Sequence, residues 1–526
     1  MPRARKLRQA AIVSVGRWVL LILLLWGGLS WGINWGSSPA WARAIGSEST
    51  PSSIQPYLEQ AQAQVTEFTL KNGLKFIVLE RHRAPVVSFL TYANVGGVDE
   101  PTGQTGVAHY LEHLAFKGTR QIGTRDYSAE KPLLEQQDQL FEQIKAAQTV
   151  GKTATQLQTQ FAELEAKSSQ YVIQNQLAQI VGQAGGVGLN ANTSSEATRY
   201  FYSFPSNKLE LWMSLESERF LEPVFREFFQ EKEVILEERR MRTENSPLGQ
   251  MMEAFLATAF TVHPYRRPVI GSTADIRNLS RPQVEKFFAT YYVPNNLAIA
   301  IVGDVDPQQV KRQAQIYFGR FQPGSPPSAT TVVEPAQTET KQVTLRLASQ
   351  PWYFEGYHSR AINDPDYVVD EMIVSLLSQG RTSRLYESLV STQRLALAAQ
   401  GSNGFPGNKY PNLMLFYALT APGHSVDQVA TALHQEIDRL RTEPVSASEL
   451  ERVQKQARAG LLQALDSNEG MGRLLLEYQV KTGDWRNLFK QLEAIAAVTP
   501  ADIQRVAQAT FTPANRTIGK ILPQSS

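Results

Sequence analysis

The chain has 526 residues, of which 42% are hydrophobic and 19% charged, and it contains no cysteine. This length exceeds what one hydrophobic core supports and predicts at least two domains, while the composition excludes an intrinsically disordered chain. Because cysteine is absent, disulfides are excluded, and any bound metal must be held by His, Asp or Glu.

The first 44 residues have the pattern of an export signal. Four basic residues among the first eight precede the apolar run WVLLILLLWGGLSWGINW, and Ala40, Ala42 and Ala44 supply the A-x-A pattern of a signal peptidase site. We therefore predict a signal peptide in residues 1–44, with an uncleaved N-terminal membrane anchor as the alternative. The rest of the chain is expected in the periplasm or outside the cell.

Removal of residues 1–42 takes away five of the 52 bases and none of the 50 acids. The remaining chain would then carry 47 bases against those 50 acids, so its basic character is largely a property of the export segment. Nothing in this charge balance indicates a nucleic-acid partner.

The predicted elements of the first half begin after a Ser- and Pro-rich linker at residues 45–60. A domain over 61–321 opens with two strands on either side of Asn72-Gly73, a hairpin signal. A further strand ends at Gly96-Gly97, and a helix containing two histidines is expected to begin near Thr105.

Residues 129–180 differ in character from their surroundings, because they are rich in Gln and have apolar positions at helical spacing. They predict an inserted helical hairpin with TVGKT as its turn. The alternatives for its role are structural decoration and a contact surface for a partner. A β segment and a helical region at about 207–245 follow, and residues 322–340 are a linker by composition. The second domain is predicted over 341–526.

An internal repeat relates the ends of the two predicted domains. SRPQVEKFFATYYVPNNLAIAIV, from Ser280, aligns without gaps on TPADIQRVAQATFTPANRTIGKI, from Thr499, and brings Asn296 onto Asn515. The repeat predicts two related halves, each ending in a helix, a turn and a strand.

The stretch GVAHYLEHLAFKGT contains two of the seven histidines of the chain, His109 and His113, with Glu112 beside the second. On a helix, residues four apart lie one above the other, so the two imidazoles can share one metal ion. Zinc suits such nitrogen ligands, and Glu112 lies where a general base for a zinc-bound water would be needed.

A third metal ligand must come from another element, and the stretch EKEVILEERR offers Glu231 and Glu238. These residues are seven apart, so two helical turns bring them to one face. One can bind the ion while the other holds a ligand histidine. Taken singly, a His pair on a helix or a glutamate on a charged helix is more often an ordinary surface or core residue; the combination points to a metal site.

HYLEH has the inverted zinc motif of the inverzincins. Together with VILEERR, HPYRRPVIG and YYVPNNLAIAIVGDVDP it resembles the pitrilysin/insulinase (M16-type) family, the group that includes mitochondrial processing peptidase. The resemblance extends from about Glu67 to the C-terminus. It implies an α+β fold with two homologous domains, each an antiparallel-rich sheet packed with helices. It also implies a zinc endopeptidase in which paired chains enclose a chamber.

The resemblance assigns roles residue by residue. His109, His113 and Glu238 match the family's ligands of one zinc ion per chain, and Glu112 matches its catalytic base. Glu231 falls on an accessory glutamate beside the ligands. Two more positions, Asn190 and Ala191, are similar to the edge strand that receives substrate by β-augmentation.

Two departures from the family pattern affect the expected function. The number of residues between His113 and Glu238 is larger than is usual in the family, and the insertion at 129–180 accounts for the extra residues. Active members also carry an Arg and, seven residues on, a Tyr that contact substrate, but here these positions are occupied by Val390 and Leu397. We therefore expect a heterodimer with a homologous chain that lacks HxxEH and supplies the Arg and Tyr, with a homodimer as the alternative.

The sequence thus predicts an exported zinc endopeptidase subunit that cleaves peptides or unfolded protein segments. The alternatives are a non-catalytic peptide-binding or assembly subunit of the same fold, and a structural zinc protein. The complete set of candidate zinc ligands argues against the first, and the absence of a four-ligand cysteine site argues against the second.

Overall fold

The computed structural model describes residues 61–151, 153–325 and 327–524. The predicted signal segment 1–44 and the linker 45–60 lie outside the described residues. Among those that are described, no helix combines the length and the apolar character that a membrane crossing requires.

The strands form two sheets, one in each half of the chain. In the first sheet the order is β1-β2-β6-β3-β5-β4, and in the second it is β7-β11-β8-β10-β9. The strands are β1 Val65–Thr69, β2 Lys75–Glu80, β3 Val86–Ala93, β4 Val187–Thr193, β5 Thr198–Pro205, β6 Leu297–Gly303, β7 Lys341–Leu347, β8 Trp352–Ser359, β9 Ala396–Phe405, β10 Asn412–Thr420 and β11 Arg516–Pro523.

The α-helices of the described residues connect and cover these strands. In the first half they are α1 Val107–Leu114, α2 Tyr127–Thr149, α3 Thr155–Ser169, α4 Gln176–Gln183, α5 Leu209–Leu221, α6 Phe228–Arg239, α7 Pro247–Ala259, α8 Thr273–Asn278, α9 Arg281–Tyr291 and α10 Pro307–Tyr317. In the second half they are α11 Tyr367–Ser378, α12 Val426–Thr442, α13 Ala447–Asp466, α14 Asn468–Thr482, α15 Asn487–Ala497 and α16 Pro500–Thr510.

The two halves share one topology. In the first half, the last strand β6 pairs in parallel with β2 and antiparallel with β3. In the second half, the last strand β11 pairs in the same way, in parallel with β7 and antiparallel with β8. The remaining two strands of each half continue the sheet in the same order, and β1 is an addition to the first sheet. The predicted α+β fold with two related domains is confirmed, while the exact domain boundaries stay predictions.

The repeat seen in the sequence has a physical cause in both halves. Asn296 donates hydrogen bonds to the carbonyls of Tyr291, at the end of α9, and of Asn94, just after β3. Asn515 makes the equivalent bonds to Thr510, at the end of α16, and to His358 in β8. Each asparagine therefore satisfies a helix-end carbonyl and ties that helix to the neighbouring strand.

The two halves exchange helices across their sheets. Gly472 in α14, from the second half, lies so close to the first sheet that a Cβ there would be 2.6 Å from Leu90. Conversely, Phe255 in α7, from the first half, packs on Gly356 of β8 and on Gly519 of β11. The absence of side chains at these glycines allows helix and sheet to approach closely, so that each half completes the packing of the other.

The insertion differs in detail from its prediction. Instead of one helix continuing to about residue 180, the chain breaks between α3 and α4, where Thr124 forms a bridge with Val172 and Ile173 donates to the Gly123 carbonyl. The hairpin of α2 and α3 packs on Phe229 of α6 through Phe141 and Phe161, whose ring centroids lie 5.0 and 4.7 Å from that of Phe229. Tertiary contacts of the 170–175 segment thus override its helical periodicity.

Candidate zinc and peptide site

The helix that carries the histidines is fixed at its N-terminus. Gly106 adopts the left-handed conformation (φ 89°), and a Cβ there would lie 2.7 Å from the Ile270 carbonyl oxygen, so that only glycine suits this turn. The buried carboxylate of Glu100 accepts hydrogen bonds from the amides of Gly106 and Ala108 at 2.9 and 3.0 Å. These bonds satisfy free N–H groups of the first turn of α1 and set its direction.

The two histidines project together from α1, with ring centroids 4.7 Å apart. The carboxylate of Glu238, on α6, faces both rings. Its Oε2 lies 3.8 Å from His109 Nε2 and 3.5 Å from His113 Nε2. The three side chains form the one group among the described residues whose His, Asp or Glu atoms converge within 4.8 Å as a metal site requires.

These separations fit a zinc ion. Zinc binds imidazole nitrogen and carboxylate oxygen at about 2.0–2.2 Å in a tetrahedral arrangement, which places its ligand atoms about 3.3–3.6 Å apart. The two distances to Glu238 Oε2 are close to this range. Three protein ligands would leave the fourth position open, which is the pattern of a catalytic rather than a structural zinc site.

Glu231 contacts the outer side of His113. Its Oε1 lies 2.8 Å from His113 Nδ1, which directs the other ring nitrogen toward Glu238. Its Oε2 lies 2.5 Å from the ammonium of Lys117. The structure therefore distinguishes two glutamates that spacing alone left equivalent, because one faces both histidines and the other orients one of them.

The orientation of the Glu238 carboxylate is also fixed by a neighbouring charged side chain. Its second oxygen, Oε1, pairs with the guanidinium of Arg242 at 2.7 Å, one turn further along the chain. One oxygen of the carboxylate is thus occupied by Arg242, while the other faces His109 and His113. This fixed orientation reduces the conformational freedom that a ligand would otherwise lose on binding a metal.

Glu112 lies beside this group but has a different partner. Its Oε2 accepts a hydrogen bond of 2.6 Å from the hydroxyl of Thr193, the last residue of β4. Burial raises the pKa of Glu112, and the Thr193 hydrogen bond offsets part of this effect. A carboxylate with a raised pKa, fixed near three side chains that could hold a metal ion, has the properties of a general base.

Burial and neighbouring charges shift the pKa values of the two histidines in opposite directions. Burial lowers the pKa of His109 to about 3, helped by the nearby His113 and Arg242, so its imidazole is neutral at pH 7. Burial also disfavours the charged form of His113, but the carboxylate of Glu231 outweighs this and raises its pKa. For Glu231, burial is outweighed by His113 and Lys117, which hold its pKa at about 2.

The predicted substrate strand lies at the edge of the first sheet. Asn190 and Ala191 belong to β4, which pairs with β5 on one side and with no other strand of the described residues. Asn190 is exposed, whereas Ala191 is buried and its amide donates to the Asn190 side chain at 2.9 Å. Since β4 ends at Thr193, an added strand would run past Glu112.

The two positions in the second half that depart from the family pattern differ in their exposure to solvent. Val390 is partly buried against the core of the second half. Leu397 lies on the edge strand β9 and is 50% exposed. Neither side chain can donate a hydrogen bond to a substrate carbonyl.

Sequence reasoning missed four side chains that organise the site: Glu100, Lys117, Thr193 and Arg242. Arg242 follows Glu238 at i, i+4 spacing in the helical turn just after α6, so a search for such pairs continued past α6 had the signal to find it. Lys117 is likewise one turn after His113. Glu100 and Thr193 reach the site from a loop and from a strand end, and no local pattern indicates either contact.

Comparisons with known proteins identify the family to which both halves of the chain are similar. The family model described as "Insulinase (Peptidase family M16)" matches residues 76–136 and 161–273, which leaves residues 137–160 of the α2–α3 hairpin unmatched. The model described as "Peptidase M16 inactive domain" matches residues 278–457.

Relatives of similar length carry related names. The chain is 27% identical over 453 residues to "Zinc protease PqqE" of Helicobacter pylori, covering 84% of this chain and 89% of the relative. It is 24% identical over 475 residues to the probable beta subunit of the mitochondrial-processing peptidase of Arabidopsis thaliana, covering 86% and 76% of the two chains. A crystal structure of a protease from Helicobacter pylori superposes with a TM-score of 0.73 at 26% identity, over 87% of this chain and 99% of the other.

The fold alone is shared with the M16 inactive domain protein of Pseudomonas fluorescens, which has a TM-score of 0.70 at 14% identity and matches 88% of this chain and 98% of the other.

The two family models together match about two thirds of the chain, and both halves have the corresponding fold. The resemblance inferred from HYLEH and its companion motifs is thereby confirmed: the chain belongs to the insulinase, or M16, family of peptidases.

Proposed function

We propose that this protein is a zinc-dependent endopeptidase subunit that cleaves peptides or unfolded protein segments. The observation that carries the proposal is the convergence of His109, His113 and Glu238 beside Glu112. This group lies at the end of an open edge strand, β4, which offers backbone hydrogen bonds to an extended peptide. The names of the relatives, which include several zinc proteases, support the same activity.

The mechanism follows from the position of each side chain. His109, His113 and Glu238 would hold a zinc ion, and zinc bound there would act as a Lewis acid and lower the pKa of a water molecule. Glu112 takes the proton from the attacking water and gives it to the leaving amine. The hydroxyl of Thr193 holds the Glu112 carboxylate in place, and Glu231 keeps His113 in the orientation that presents Nε2.

Metal content and turnover test the proposal separately. His109→Ala removes one of three ligands, and we expect loss of zinc with the fold retained, measured by metal analysis and circular dichroism. The control is His82→Ala, which removes an exposed imidazole elsewhere on the first domain. Full zinc occupancy in His109→Ala would contradict the ligand assignment.

Glu112→Gln keeps the shape of the side chain but cannot accept a proton. We expect this variant to retain zinc and to lose turnover of a denatured test protein by at least about a hundredfold. An ordinary rate of cleavage would show that Glu112 is not the base. Peptide binding without turnover in the wild-type protein would instead favour a non-catalytic peptide-binding subunit.

We also propose that full activity requires a homologous partner chain that lacks HxxEH. Val390 and Leu397 stand where active family members are expected to carry Arg and Tyr, and the loss of one such donor typically costs about 10²–10³ in rate. The pure chain is therefore expected to be weakly active, and a partner with Arg and Tyr should raise its rate. Strong peptidase activity of the pure chain, unchanged by the partner, would favour a self-sufficient homodimer.

The proposed location is the periplasm or the cell exterior. It depends on the basic and apolar pattern of residues 1–44, which is typical of export segments. Cell fractionation of the full chain, with a variant that lacks residues 1–44 as control, distinguishes export from retention.

A further inference from the structure

The turn between β4 and β5 begins directly after the residue that holds Glu112. Thr193, whose hydroxyl donates to the Glu112 carboxylate, is the last residue of β4, and residues 194–197 form what we call the β4–β5 turn. The Ser194 amide donates to the Ala197 carbonyl at 2.8 Å, and the Ala197 amide donates to the Ser194 hydroxyl at 3.1 Å. Because Thr193 is joined to this closed turn, the place of the turn decides the place of the Thr193 hydroxyl.

One side of the turn is held by the loop after β3, within the first half. The amides of Gly97 and Val98 donate to the carbonyls of Ser194 and Ser195 at 3.2 and 2.8 Å. A Cβ on Gly96 would lie 2.4 Å from the Ser194 carbonyl oxygen, so loop and turn are in close contact. These contacts fix the turn against its own sheet.

The other side of the turn is held through Glu196, whose side chain is only 1% exposed. One carboxylate oxygen accepts hydrogen bonds from the Lys409 amide, at 2.7 Å, and from the Tyr265 hydroxyl. The other oxygen lies 2.7 Å from the ammonium of Lys481. Lys409 belongs to the loop between β9 and β10, and Lys481 to α14. Two of the three donors thus come from the second half, and such bonds to an ionised carboxylate are about twice as strong as neutral ones.

The second half also contacts the hairpin at two neighbouring points. A Cβ on Gly407, in the loop between β9 and β10, would lie 2.3 Å from Oε1 of Glu196, so a side chain there would displace the carboxylate. Arg199, on β5 just after the turn, pairs with Glu477 of α14 and donates to the Asn192 side chain of β4 at 3.2 Å. The end of the β4–β5 hairpin is therefore enclosed by elements of the second half.

We propose that Glu196 is a positioning residue for the catalytic base, through which the second half holds Glu112 in place. The link runs from Glu196 through the β4–β5 turn to Thr193, and from the Thr193 hydroxyl to Glu112. The inference rests on the proposed peptidase function, and it assigns a role in that function to the half that matches the model described as an inactive domain. Asn190 and Ala191 are paired with β5 independently of Glu196, so loss of the link should lower kcat more than it raises KM.

The kinetics and the zinc content of Glu196→Gln test the proposal. The amide keeps the size of the side chain but loses the charge that attracts Lys481. We expect kcat to fall about tenfold, as the loss of a hydrogen bond to a charged group predicts, with KM within about twofold and zinc occupancy unchanged. An unchanged kcat in the zinc-loaded variant would overturn the proposal.

The matched control is Glu355→Gln. Glu355 is also a fully buried carboxylate, which accepts hydrogen bonds from the hydroxyls of Tyr353 and Tyr357 and lies 2.6 Å from His434. These partners all belong to the second half, so the control makes the same chemical change without touching the β4–β5 turn. We expect it to keep the wild-type kcat. An equal loss of kcat in Glu355→Gln and Glu196→Gln would reduce the effect to general destabilisation and overturn the proposal.

A second variant displaces the carboxylate without changing a charge. Gly407→Ala places a methyl group against Glu196 from the second half, and we expect the same tenfold fall in kcat. Gly319→Ala adds the same methyl where no atom lies within 4 Å and should keep the wild-type rate. This pair of variants decides the question even if Glu196→Gln does not fold. A wild-type kcat in zinc-loaded Gly407→Ala would contradict the link.

A double-mutant cycle distinguishes positioning from a purely structural role. Thr193→Val removes the hydroxyl that contacts Glu112 and should lower kcat about tenfold. If Glu196 acts through this hydroxyl, the double variant of Glu196→Gln and Thr193→Val should be no slower than Thr193→Val alone. A further tenfold loss in the double variant would show that Glu196 acts by another route, and the proposal would fail.

Crystal structures of the wild type and of Glu196→Gln provide a measurement that does not require turnover. We expect the Thr193 Oγ1 to Glu112 Oε2 distance, 2.6 Å in the wild type, to exceed about 3.5 Å in the variant. A wild type that does not cleave, with this contact opened in the variant, would refute the peptidase and leave the link. A wild type that cleaves, with the contact and kcat unchanged in the variant, would refute the link and leave the peptidase.

Discussion

The buried ion pairs that join the two halves allow a test of how much they contribute to the free energy of unfolding. Lys481, on α14 of the second half, lies 2.7 Å from Glu196 of the first half and 2.9 Å from Glu477 of its own helix. Arg199 of β5 also pairs with Glu477. The Lys481 side chain is 7% exposed, and that of Glu196 is 1% exposed. Lys481→Met would therefore leave two carboxylates facing one guanidinium, away from water.

The expected loss of stability in Lys481→Met follows from the pKa shift of Glu477. Burial acts to raise its pKa, but Arg199 and Lys481 outweigh this effect and hold the pKa at about 2, against an ordinary value of 4.5. Such a shift corresponds to about 3 kcal/mol of stability at neutral pH, of which Arg199 and Lys481 each supply a part. Removal of one partner of a buried ion pair typically costs about 3–5 kcal/mol. We therefore expect Lys481→Met to lower the free energy of unfolding by about 3 kcal/mol at pH 7.

The pH dependence has a defined sign. Because the folded-state pKa of Glu477 is depressed, its contribution is complete above about pH 4.5 and is lost as the pH falls toward 2. The difference between wild type and Lys481→Met should accordingly be full at pH 7 and shrink below about pH 4.5. Urea unfolding followed by tryptophan fluorescence measures both quantities.

A matched control is available in the same half. Lys455 pairs with Glu451 at 2.6 Å with the same i, i+4 spacing as Lys481 with Glu477, but its side chain is 73% exposed. Lys455→Met should cost less than about 1 kcal/mol, because exposed pairs are weak. Equal losses in the two variants, or a loss below 1 kcal/mol for Lys481→Met, would refute the argument that burial decides the energy.

Three further predictions concern the site, the insertion and export. Glu231→Gln should weaken zinc affinity about 10–100-fold without unfolding, as measured by competition with a chelator; unchanged affinity would mean that its contact with His113 is unimportant. Phe229→Ala removes the ring on which the inserted helices pack and should lower the free energy of unfolding by about 3–5 kcal/mol. It should also expose α2 and α3 to limited proteolysis; if these helices stay resistant, contacts other than those with Phe229 hold them in place. N-terminal sequencing of exported protein should find a start after Ala42 or Ala44, whereas an intact Met1 would favour the anchor.

Local patterns by themselves predicted which side chains could form the candidate site. The i, i+4 spacing of His109 and His113 and the seven-residue spacing of Glu231 and Glu238 are properties of any helix, so each pair could be placed on one face before the fold was known. The family motifs then indicated the fold, and the gapless repeat around Asn296 and Asn515 indicated two related halves. These inferences succeed because helix geometry and motif spacing depend on residues close in sequence.

The tertiary structure decided what depends on contacts between distant segments. It brought Glu238 in front of both imidazoles, as the family resemblance had implied and spacing alone had not, and it brought Thr193 to Glu112 from a strand 81 residues away. It also broke the predicted helix near residue 172, where Val172 forms a bridge with Thr124 instead. No local signal specifies these contacts between distant segments. The orientation of a side chain in a packed interface depends on how several helices and strands are arranged together, and each helix or strand taken alone could pack against many partners.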